Sequence, residues 1–338
     1  QLPIDLKRVT DTLSNLGQSP NVGAALIVSL GCEGTDHERM VEEIRAAGKP
    51  VEIIRIQELG GTSRAIQAGI DAAQRLVQEI SGLQRETVDI SEVVMAIKCG
   101  ASDTTSGMAS NCVIGYVADK LVDLGATVVF GETTEFLGGE HILAKRAVGG
   151  ENGPIGQKIY EIVDRMEKRA KSVGEDMRGG QPTPGNIAGG LSSIEEKSLG
   201  AIVKSGHRPI QGVLEYCDRV DGQKGLWIKD APGREPEILT GMAATGAQFM
   251  MFSTGRGAPQ GFPSMPVIKI CGNPHTYERM QHDMDLNAGR IIQGEKTIEE
   301  VGEEAFRLML DVLSGKMTKN EALGYYGSMD IFCLGPVI

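Results

Sequence analysis

The sequence predicts an α/β protein with doubly wound, mainly parallel sheets, helices on both faces of the sheets, and two lobes. Short apolar runs of strand length recur along the 338 residues, and segments with helical periodicity separate the first of them. The runs stop at glycine and polar residues, where the loops of such a fold begin. Alternation of strands and helices is typical of parallel sheets, because parallel neighbours need a crossover connection.

The predicted elements follow in chain order. The predicted strands occupy residues 24–31, 51–57, 92–100, 126–132, 248–255 and 266–272. Residues 35–48 predict a helix with Thr35 or Asp36 as its N-cap and Gly48 at its end, and residues 61–82 predict a longer helix. Asp103 and Thr104 are placed to cap a further helix after the third strand.

This pattern divides the chain into two lobes and a connection. Residues 1–150 are predicted to form an α/β lobe, and residues 201–338 a second α/β lobe that closes with helices near the C-terminus. Residues 151–200 hold one long charged helical pattern followed by a glycine- and proline-rich loop. We interpret that segment as the link between the lobes, with its loop returning toward the functional site.

Charge and hydropathy argue against two classes of partner. The net charge is −11 and the pI is near 5.1, without an extended cluster of lysine and arginine, so nucleic acid is not an expected partner. No run of about 18 apolar residues occurs, so no membrane-spanning helix is expected. The N-terminal residues lack the pattern of a signal peptide, and we expect a cytoplasmic protein. Because Gln1 stands where a methionine would, we expect the chain to begin inside a longer one.

The six cysteines are scattered without CxxC spacing, which favours reduced thiols over a disulfide framework. Most are interpreted as small buried side chains, and some as candidate ligands.

Residues 99–107, CGASDTTSG, follow the third predicted strand and carry several hydroxyls and backbone amides near a helix start. The carboxyl edge of a parallel sheet is where ligands bind, and a helix N-terminus favours anions. A substrate carboxylate or sulfonate is one interpretation, and a tight turn with an ordinary cap is the other. The segment is not a phosphate-binding P-loop, because the GxxxxGK[ST] pattern is absent.

Residues 131–141, GETTEFLGGEH, bring three carboxylates and a histidine to the end of the fourth predicted strand. These residue types suit a divalent cation or acid–base chemistry, and an exposed acidic loop is the alternative. Arg256 and Lys269 add cations at two further strand ends. They either bind a substrate carboxylate or form structural salt bridges. Residues 282–289 lack the ligand positions of an EF-hand and predict an acidic turn.

Together, several stretches resemble the large C-terminal part of the altronate dehydratase and galactarate dehydratase family. They are PNVGAALIVSLGCE, CGASDTTSGMASNCVIGYVADKLVDLGATVVFGETTEFLGGEHIL, PTPGNIAGGLSSIEEKSLGAIVKSG, TGMAATGAQFMMFSTGRG and HDMDLNAG, which follow one another over nearly the whole chain. KCGASDTTSG with GATVVFGETTEFLGGEH resembles the large subunit of (2R)-sulfolactate sulfo-lyase, a family member, whereas FSTGRG with HDMDLNAG is more similar to the sugar-acid dehydratases.

The resemblance implies a lyase that removes the proton α to a substrate carboxylate, with divalent iron or manganese stabilising the enediolate. We expect Cys32, Cys99, Glu132 and His141 near the metal, and Glu33, Glu135, Glu140 and His141 in catalysis. Expected substrate-binding residues are Ser102, Asp103, Thr104, Ser106, Asn186, Arg256, Lys269 and Asn273.

The leading functional hypothesis is a hydro-lyase that converts an altronate- or galactarate-like acid to a 2-keto-3-deoxy acid. The alternatives are the sulfo-lyase large subunit, which releases sulfite and pyruvate, and a non-catalytic subunit. The resemblance also implies a SAF-type small domain or subunit as partner, which we expect to be absent from this chain, and homo-oligomers are the default expectation. A nicotinamide dehydrogenase is disfavoured, because no GxGxxG follows the first strand.

Overall fold

The computed structural model describes residues 3–335, and its strands are interspersed with helices along the chain. The strands are β1 (Ala25–Ser29), β2 (Val51–Arg55), β3 (Val94–Gly100), β4 (Thr127–Phe130), β5 (Ile210–Leu214), β6 (Gly225–Lys229), β7 (Phe249–Thr254), β8 (Val267–Cys271) and β9 (Leu286–Asn287). The α-helices are α1 (Pro3–Gly17), α2 (His37–Ala46), α3 (Thr62–Ile80), α4 (Asn111–Asp123), α5 (Glu140–Arg146), α6 (Pro154–Ser172), α7 (Met177–Gly180), α8 (Pro184–Ala188), α9 (Ile194–Ile202), α10 (Glu235–Ala244), α11 (Pro274–Arg279), α12 (Gly289–Ile292), α13 (Ile298–Leu313) and α14 (Lys319–Leu323).

Seven of these strands form one parallel sheet in the order β5-β6-β4-β3-β7-β8-β9. The central strand β3 pairs with β4 on one side and β7 on the other, so the loops that follow these three strands meet at one edge. Strand β3 is buried on both faces, which explains its nearly continuous apolar sequence.

Helices cover both faces of this sheet, which confirms the predicted α/β class. Met95 and Ile97 of β3 face a core built with α4, α6 and α13, whereas Ala96 faces a second core built with α10. The alternation follows from the two-residue period of a strand, which sends successive side chains to opposite faces.

A separate two-stranded parallel sheet is formed by β1 and β2. Helix α2 packs on one side of it and α3 on the other, and each side has a small apolar cluster. The predicted division into lobes 1–150 and 201–338 does not follow the sheets, because β3 and β4 join the same sheet as β7 and β8. The sequence pattern favours a crossover from β2 to β3 within one sheet, whereas the structure places these two strands in different sheets.

All six predicted strands are present within a few residues of their predicted bounds. Helices α2 and α3 are also confirmed, and Asp36 is the cap of α2, accepting a hydrogen bond from the backbone of Arg39. No helix in residues 3–335 is long and apolar enough to cross a membrane.

The predicted connection contains the long helix α6 and then a segment that we call the strap, residues 181–191, which includes the short helix α8. The strap crosses the loop after β3. The Asn186 amide donates to the carbonyl of Ser102 at 2.9 Å, and the backbone N–H of Thr104 donates to the carbonyl of Gly189 at 3.1 Å. The predicted return of this loop toward the site is thus observed.

Candidate active site

Four buried charged side chains lie together where β3 and β4 end, and we call them the ion cluster: Lys98, Glu132, Glu135 and Lys204. The Lys204 ammonium is 2.6 Å from Oε2 of Glu132 and 2.5 Å from Oε2 of Glu135. Lys98 donates to the other oxygen of Glu132, and the backbone N–H of Cys99 donates to Oε2 of Glu132 at 2.9 Å. The cluster thus balances two ammonium groups against two carboxylates that are largely shielded from water.

Each member of the ion cluster is placed by a strand or helix end. Lys98 is part of β3, and Glu132 follows β4 in a left-handed conformation with a φ of 69°. That conformation is uncommon for a residue with a side chain and turns the Glu132 carboxylate back beside β3. Glu135 lies in the next 3₁₀ turn, and Lys204 comes from the turn after α9.

The electrostatics of the cluster follow from burial and from these ion pairs. Burial alone raises the pKa of Glu135, but the ammonium groups of Lys204, Lys197 and Lys98 lower it to about 2. Burial and the neighbouring Glu135 carboxylate raise the pKa of Glu132, against the opposing effect of the two lysines. Glu135 is therefore a permanent carboxylate near neutral pH.

Lys98 and Lys204 keep their protons in this setting. Burial lowers the pKa of Lys98, but the carboxylates of Glu132, Glu235 and Glu135 more than offset this effect and raise it overall. The same balance raises the pKa of Lys204. Both side chains are therefore fixed positive charges beneath the loop after β3.

A cavity of about 380 Å³ opens above the ion cluster, and we call it the ion-cluster pocket. Its lining includes Lys98, Glu135, Lys197, Arg234 and Glu235. The Glu235 side chain is 33% exposed, and its Oε1 is 4.0 Å from the Lys98 ammonium. Pockets that combine a few convergent polar groups with shifted pKa values are typical of active sites.

Gly100 allows Glu235 to approach the end of β3. A Cβ atom on Gly100 would lie 2.6 Å from Oε1 of Glu235 and 2.8 Å from the ring of Phe252. A residue with a side chain at this position would therefore displace the carboxylate from the pocket.

Cys99 lines the same pocket, and its thiol stays protonated. Its Sγ lies 3.1 Å from the Ser102 hydroxyl and 3.6 Å from Oε1 of Glu135. Burial and the Glu135 charge raise the pKa of Cys99, which opposes thiolate chemistry.

The predicted substrate-binding residues do not all share this pocket. Ser102 and Asn186 line it. Asp103, Thr104, Arg256 and Asn273 instead line a neighbouring cavity, described below. A further concavity is lined by residues of the loop after β3, of α4 and of α9, including Ser106 and Lys197.

Lys269 is not available to a substrate. Its side chain is fully buried, and its ammonium donates to the carbonyls of Ala258, at 3.1 Å, and Gln260. It stabilises the loop after β7, so its predicted role in substrate binding is corrected.

Cys32 and Glu33 follow β1, in the sheet separate from that of Cys99 and Glu132. Cys32 is exposed and accepts from the Gln57 amide at 3.6 Å. Glu33 folds back on its own loop, and hydrogen bonds from backbone amides, led by its own, lower its pKa to about 2.

Glu140 and His141 begin α5, and His141 is exposed to solvent. Neither residue lines the ion-cluster pocket, so the predicted catalytic roles of both find no counterpart in that cavity. The helix start carries them away from the turn that holds Glu135.

Of the predicted metal ligands, Cys99 and Glu132 lie together at the ion cluster, whereas Cys32 follows β1 in the other sheet and His141 lies on α5. Within residues 3–335, no three histidine, cysteine, aspartate or glutamate side chains converge as metal ligands would. Glu132 is already matched by two ammonium groups, and the Cys99 thiol is protonated. These donors do not fit an iron or manganese ion in this arrangement.

Five charged residues of this site were not predicted from the sequence: Lys98, Lys197, Lys204, Arg234 and Glu235. A lysine that interrupts a strand buried on both faces, as Lys98 does, was an available signal, because such a charge needs a buried partner. The other four lie in helices or loops whose proximity to β3 depends on the tertiary fold.

Comparison with known proteins identifies the family. Residues 90–335 match the family model for the C-terminal part of D-galactarate/altronate dehydratase, and residues 1–81 match the model for the second domain of D-galactarate dehydratase/altronate hydrolase. The chain is 39% identical to the β subunit of (2R)-sulfolactate sulfo-lyase from Chromohalobacter salexigens, over 96% of this chain and 82% of that protein.

Two sugar-acid dehydratases are also similar. Galactarate dehydratase (L-threo-forming) from Escherichia coli is 36% identical over 96% of this chain, and altronate dehydratase from Bacillus subtilis is 33% identical over 95%. The chain spans 63% of the length of each of these two enzymes. These matches cover nearly the whole chain, which therefore belongs to the D-galactarate/altronate dehydratase family.

Proposed function

We propose that the protein is a lyase that catalyses β-elimination from a 2-hydroxy acid in the ion-cluster pocket. The observation that carries this proposal is the carboxylate of Glu235, which reaches into the pocket 4.0 Å from the protonated Lys98. A base beside a fixed positive charge is what proton removal next to a carboxylate requires, because negative charge then develops on the substrate.

Glu235 is the proposed general base. Unlike Glu132 and Glu135, whose carboxylates are held by Lys204 at 2.6 and 2.5 Å, Glu235 is partly exposed and meets Lys98 only at 4.0 Å. It takes the proton from the carbon next to the substrate carboxylate. Lys98 then stabilises the enediolate, and the rest of the ion cluster holds Lys98 in place.

Lys197 is the proposed partner of the substrate carboxylate. Its ammonium lines the pocket and donates to Gln181 at 2.8 Å and to Asn186 at 3.4 Å, both on the strap. A substrate carboxylate replaces one of these neutral acceptors with a charged one, which strengthens the hydrogen bond.

The elimination is completed at the neighbouring carbon. Its bond to the leaving group breaks as the carbon–carbon double bond forms, and the proton held by Glu235 is available to a departing hydroxyl, which leaves as water. The resulting enol tautomerises to a 2-keto acid. An altronate- or galactarate-like acid gives a 2-keto-3-deoxy acid by this route.

A second candidate reaction is the release of sulfite and pyruvate from (2R)-sulfolactate. It is favoured by the 39% identity to a sulfo-lyase β subunit, which this chain covers to 82% of its length. Sulfite is a good leaving group and needs no proton to depart, so the same base and the same lysines suffice.

A non-catalytic role is the remaining alternative to either lyase reaction. The name of the sulfo-lyase relative, a β subunit, also supports the proposal that a further chain, such as a SAF-type small subunit, completes the active protein. Self-association of this chain is likewise proposed and follows only from the frequency of homo-oligomers.

Dependence on divalent iron or manganese stays a prediction from the family resemblance. The steps above use the side chains of this chain alone, because the donors that converge at the ion cluster do not fit such an ion.

The test is a product assay on altronate, galactarate and sulfolactate, with the chain alone and with a SAF-type subunit, in the presence of Fe²⁺ or Mn²⁺ under reducing conditions. Keto acid without sulfite supports the dehydratase, and pyruvate with an equal amount of sulfite supports the sulfo-lyase. Absence of product from all three acids, with the subunit present, would contradict both proposed reactions.

A further inference from the structure

A second cavity lies on the other side of the strap, and its lining carries two arginines. We call it the arginine pocket. It has a volume of about 460 Å³ and is lined by Asp103, Thr104, Arg256, Asn273, Thr276 and Arg279, among others. The loops after β3, β7 and β8 supply these residues together with α11. A cavity of this size suits a small organic molecule.

The acidic residue in the arginine pocket does not neutralise the arginines. One oxygen of Asp103 accepts from the Thr105 hydroxyl at 2.5 Å and from the backbone N–H of Ser106 at 3.2 Å. The other oxygen accepts from the Asn273 amide at 2.9 Å. Asp103 is buried, and these hydrogen bonds hold the loop after β3 in place, as expected of the predicted helix cap.

The two arginines retain most of their hydrogen-bonding capacity. Arg256 donates to the carbonyl of Gly185 at 3.0 Å, and both Arg256 and Arg279 are exposed. Neither forms an ion pair with a carboxylate in residues 3–335, although exposed arginines elsewhere do, as Arg208 does with Asp123. In a protein with a net charge of −11, two unpaired guanidinium groups in one cavity are a local positive site.

We propose that the arginine pocket binds the carboxylate of a small organic acid. A guanidinium group presents paired N–H donors that match the two oxygens of a carboxylate, and the hydroxyls of Thr104 and Thr276 line the same cavity. This site is distinct from the ion-cluster pocket, with which it shares no lining residue, and its binding of a carboxylate does not depend on the proposed reaction.

The strap connects the two cavities. Thr183 and Asn186 face the ion-cluster pocket, whereas Ala188 and Gly189 line the arginine pocket. Because Arg256 also donates to Gly185 of the strap, a bound carboxylate competes with that carbonyl for the guanidinium group. The ligand is either the distal carboxylate of a dicarboxylic substrate that extends past the strap, or a separate acid that acts on the strap from this side.

Calorimetric titration with malonate at constant ionic strength tests the site directly. Wild-type protein is expected to bind malonate, and Arg279→Gln and Arg256→Gln are each expected to weaken binding by roughly tenfold or more, the loss typical of a charge-assisted hydrogen bond. Arg279→Gln is the cleaner variant, because Arg256 also contacts the strap. Arg307→Gln, an exposed arginine on α13, is the matched control and should leave binding unchanged.

Absence of malonate binding by the wild type at about 10 mM would overturn the proposal. An affinity for malonate in both pocket variants equal to that of the wild type would do the same. Preferential binding of phosphate through the same two arginines would also contradict it. Loss of malonate binding in Lys197→Gln but not in Arg279→Gln would also overturn it, since that result places the ligand in the ion-cluster pocket.

Kinetics with Arg279→Gln distinguish the two sources of the carboxylate. A higher KM for galactarate with an unchanged KM for a monocarboxylic acid such as altronate identifies the distal group of the substrate. An unchanged KM for both acids, with malonate affinity lost, identifies a separate ligand. Absence of turnover in the wild type would contradict the proposed function and leave the calorimetric test of this pocket intact.

Discussion

Lys204→Met tests whether the ion cluster is held together by charge balance. Lys204 is the one member in contact with both carboxylates, at 2.6 Å from Glu132 and 2.5 Å from Glu135, and all three side chains are buried. Methionine keeps most of the aliphatic stem and removes the ammonium group, so the loss is mainly electrostatic.

The expected cost is set by the charge left without a partner. The variant leaves Lys98 alone against two buried carboxylates, and removal of one partner from a buried ion pair typically destabilises a protein by about 3–5 kcal/mol. Lys98 is already engaged by the other oxygen of Glu132, so Glu135 loses its ammonium contact and keeps only the charge–charge attraction of Lys197 and Lys98.

A second substitution restores the charge balance. In Lys204→Met with Glu135→Gln, Lys98 and Glu132 remain as a matched pair. The double variant should therefore be less destabilised than the sum of the two single variants, by at least about 1 kcal/mol of coupling energy.

Urea unfolding, followed by circular dichroism, measures these free energies. Lys168→Met is the matched control, because Lys168 forms an exposed pair with Asp164 at 2.6 Å, and its loss should change the unfolding free energy by less than about 1 kcal/mol. A cost for Lys204→Met no larger than that of the control, or strict additivity in the double variant, would refute the reasoning.

Three further predictions concern the pocket and its surroundings. Gly100→Ala should lower kcat/KM and destabilise the protein by about 1–3 kcal/mol, because the new Cβ meets Glu235 at 2.6 Å and the Phe252 ring at 2.8 Å. Unchanged kinetics in this variant would contradict the position of Glu235. Because the pKa of Glu135 is lowered from 4.5 to about 2, its carboxylate stabilises the fold above pH 4.5, and this contribution is lost as the pH falls toward 2. The difference in unfolding free energy between wild type and Glu135→Gln, measured in urea, should therefore shrink over that pH range. His141→Ala should leave turnover unchanged in the product assay, since His141 is exposed and outside the pocket, and a large loss would restore its predicted catalytic role.

Much of the fold was predictable because the local signals agree with the tertiary structure. The six predicted strands are apolar runs that end at glycine or polar residues, and each one is a strand in the structure. Strands β5 and β6 escaped prediction because Gln211 and Gly212 interrupt the first and a buried Lys229 ends the second. The ammonium group of Lys229 donates to three backbone carbonyls, which compensates for its burial. No local sequence pattern predicts these contacts.

The candidate site was only partly predictable, because strand order is a tertiary property. The expectation that polar loops gather at the carboxyl edge of the sheet is met by Cys99, Ser102, Glu132 and Glu135. It fails for Cys32, because β1 belongs to another sheet and the sequence pattern of a parallel strand does not reveal its partner.

The central claim is that Glu235 removes the substrate proton in the ion-cluster pocket, and the rate of keto-acid formation by Glu235→Gln tests it most directly. Glu161→Gln, an exposed glutamate on α6, is the control and should match the wild type. We expect Glu235→Gln to lose roughly 10²- to 10⁴-fold in kcat with its unfolding transition unchanged, the loss typical of a missing general base. Wild-type turnover by Glu235→Gln on the acid that the wild type converts would contradict the account.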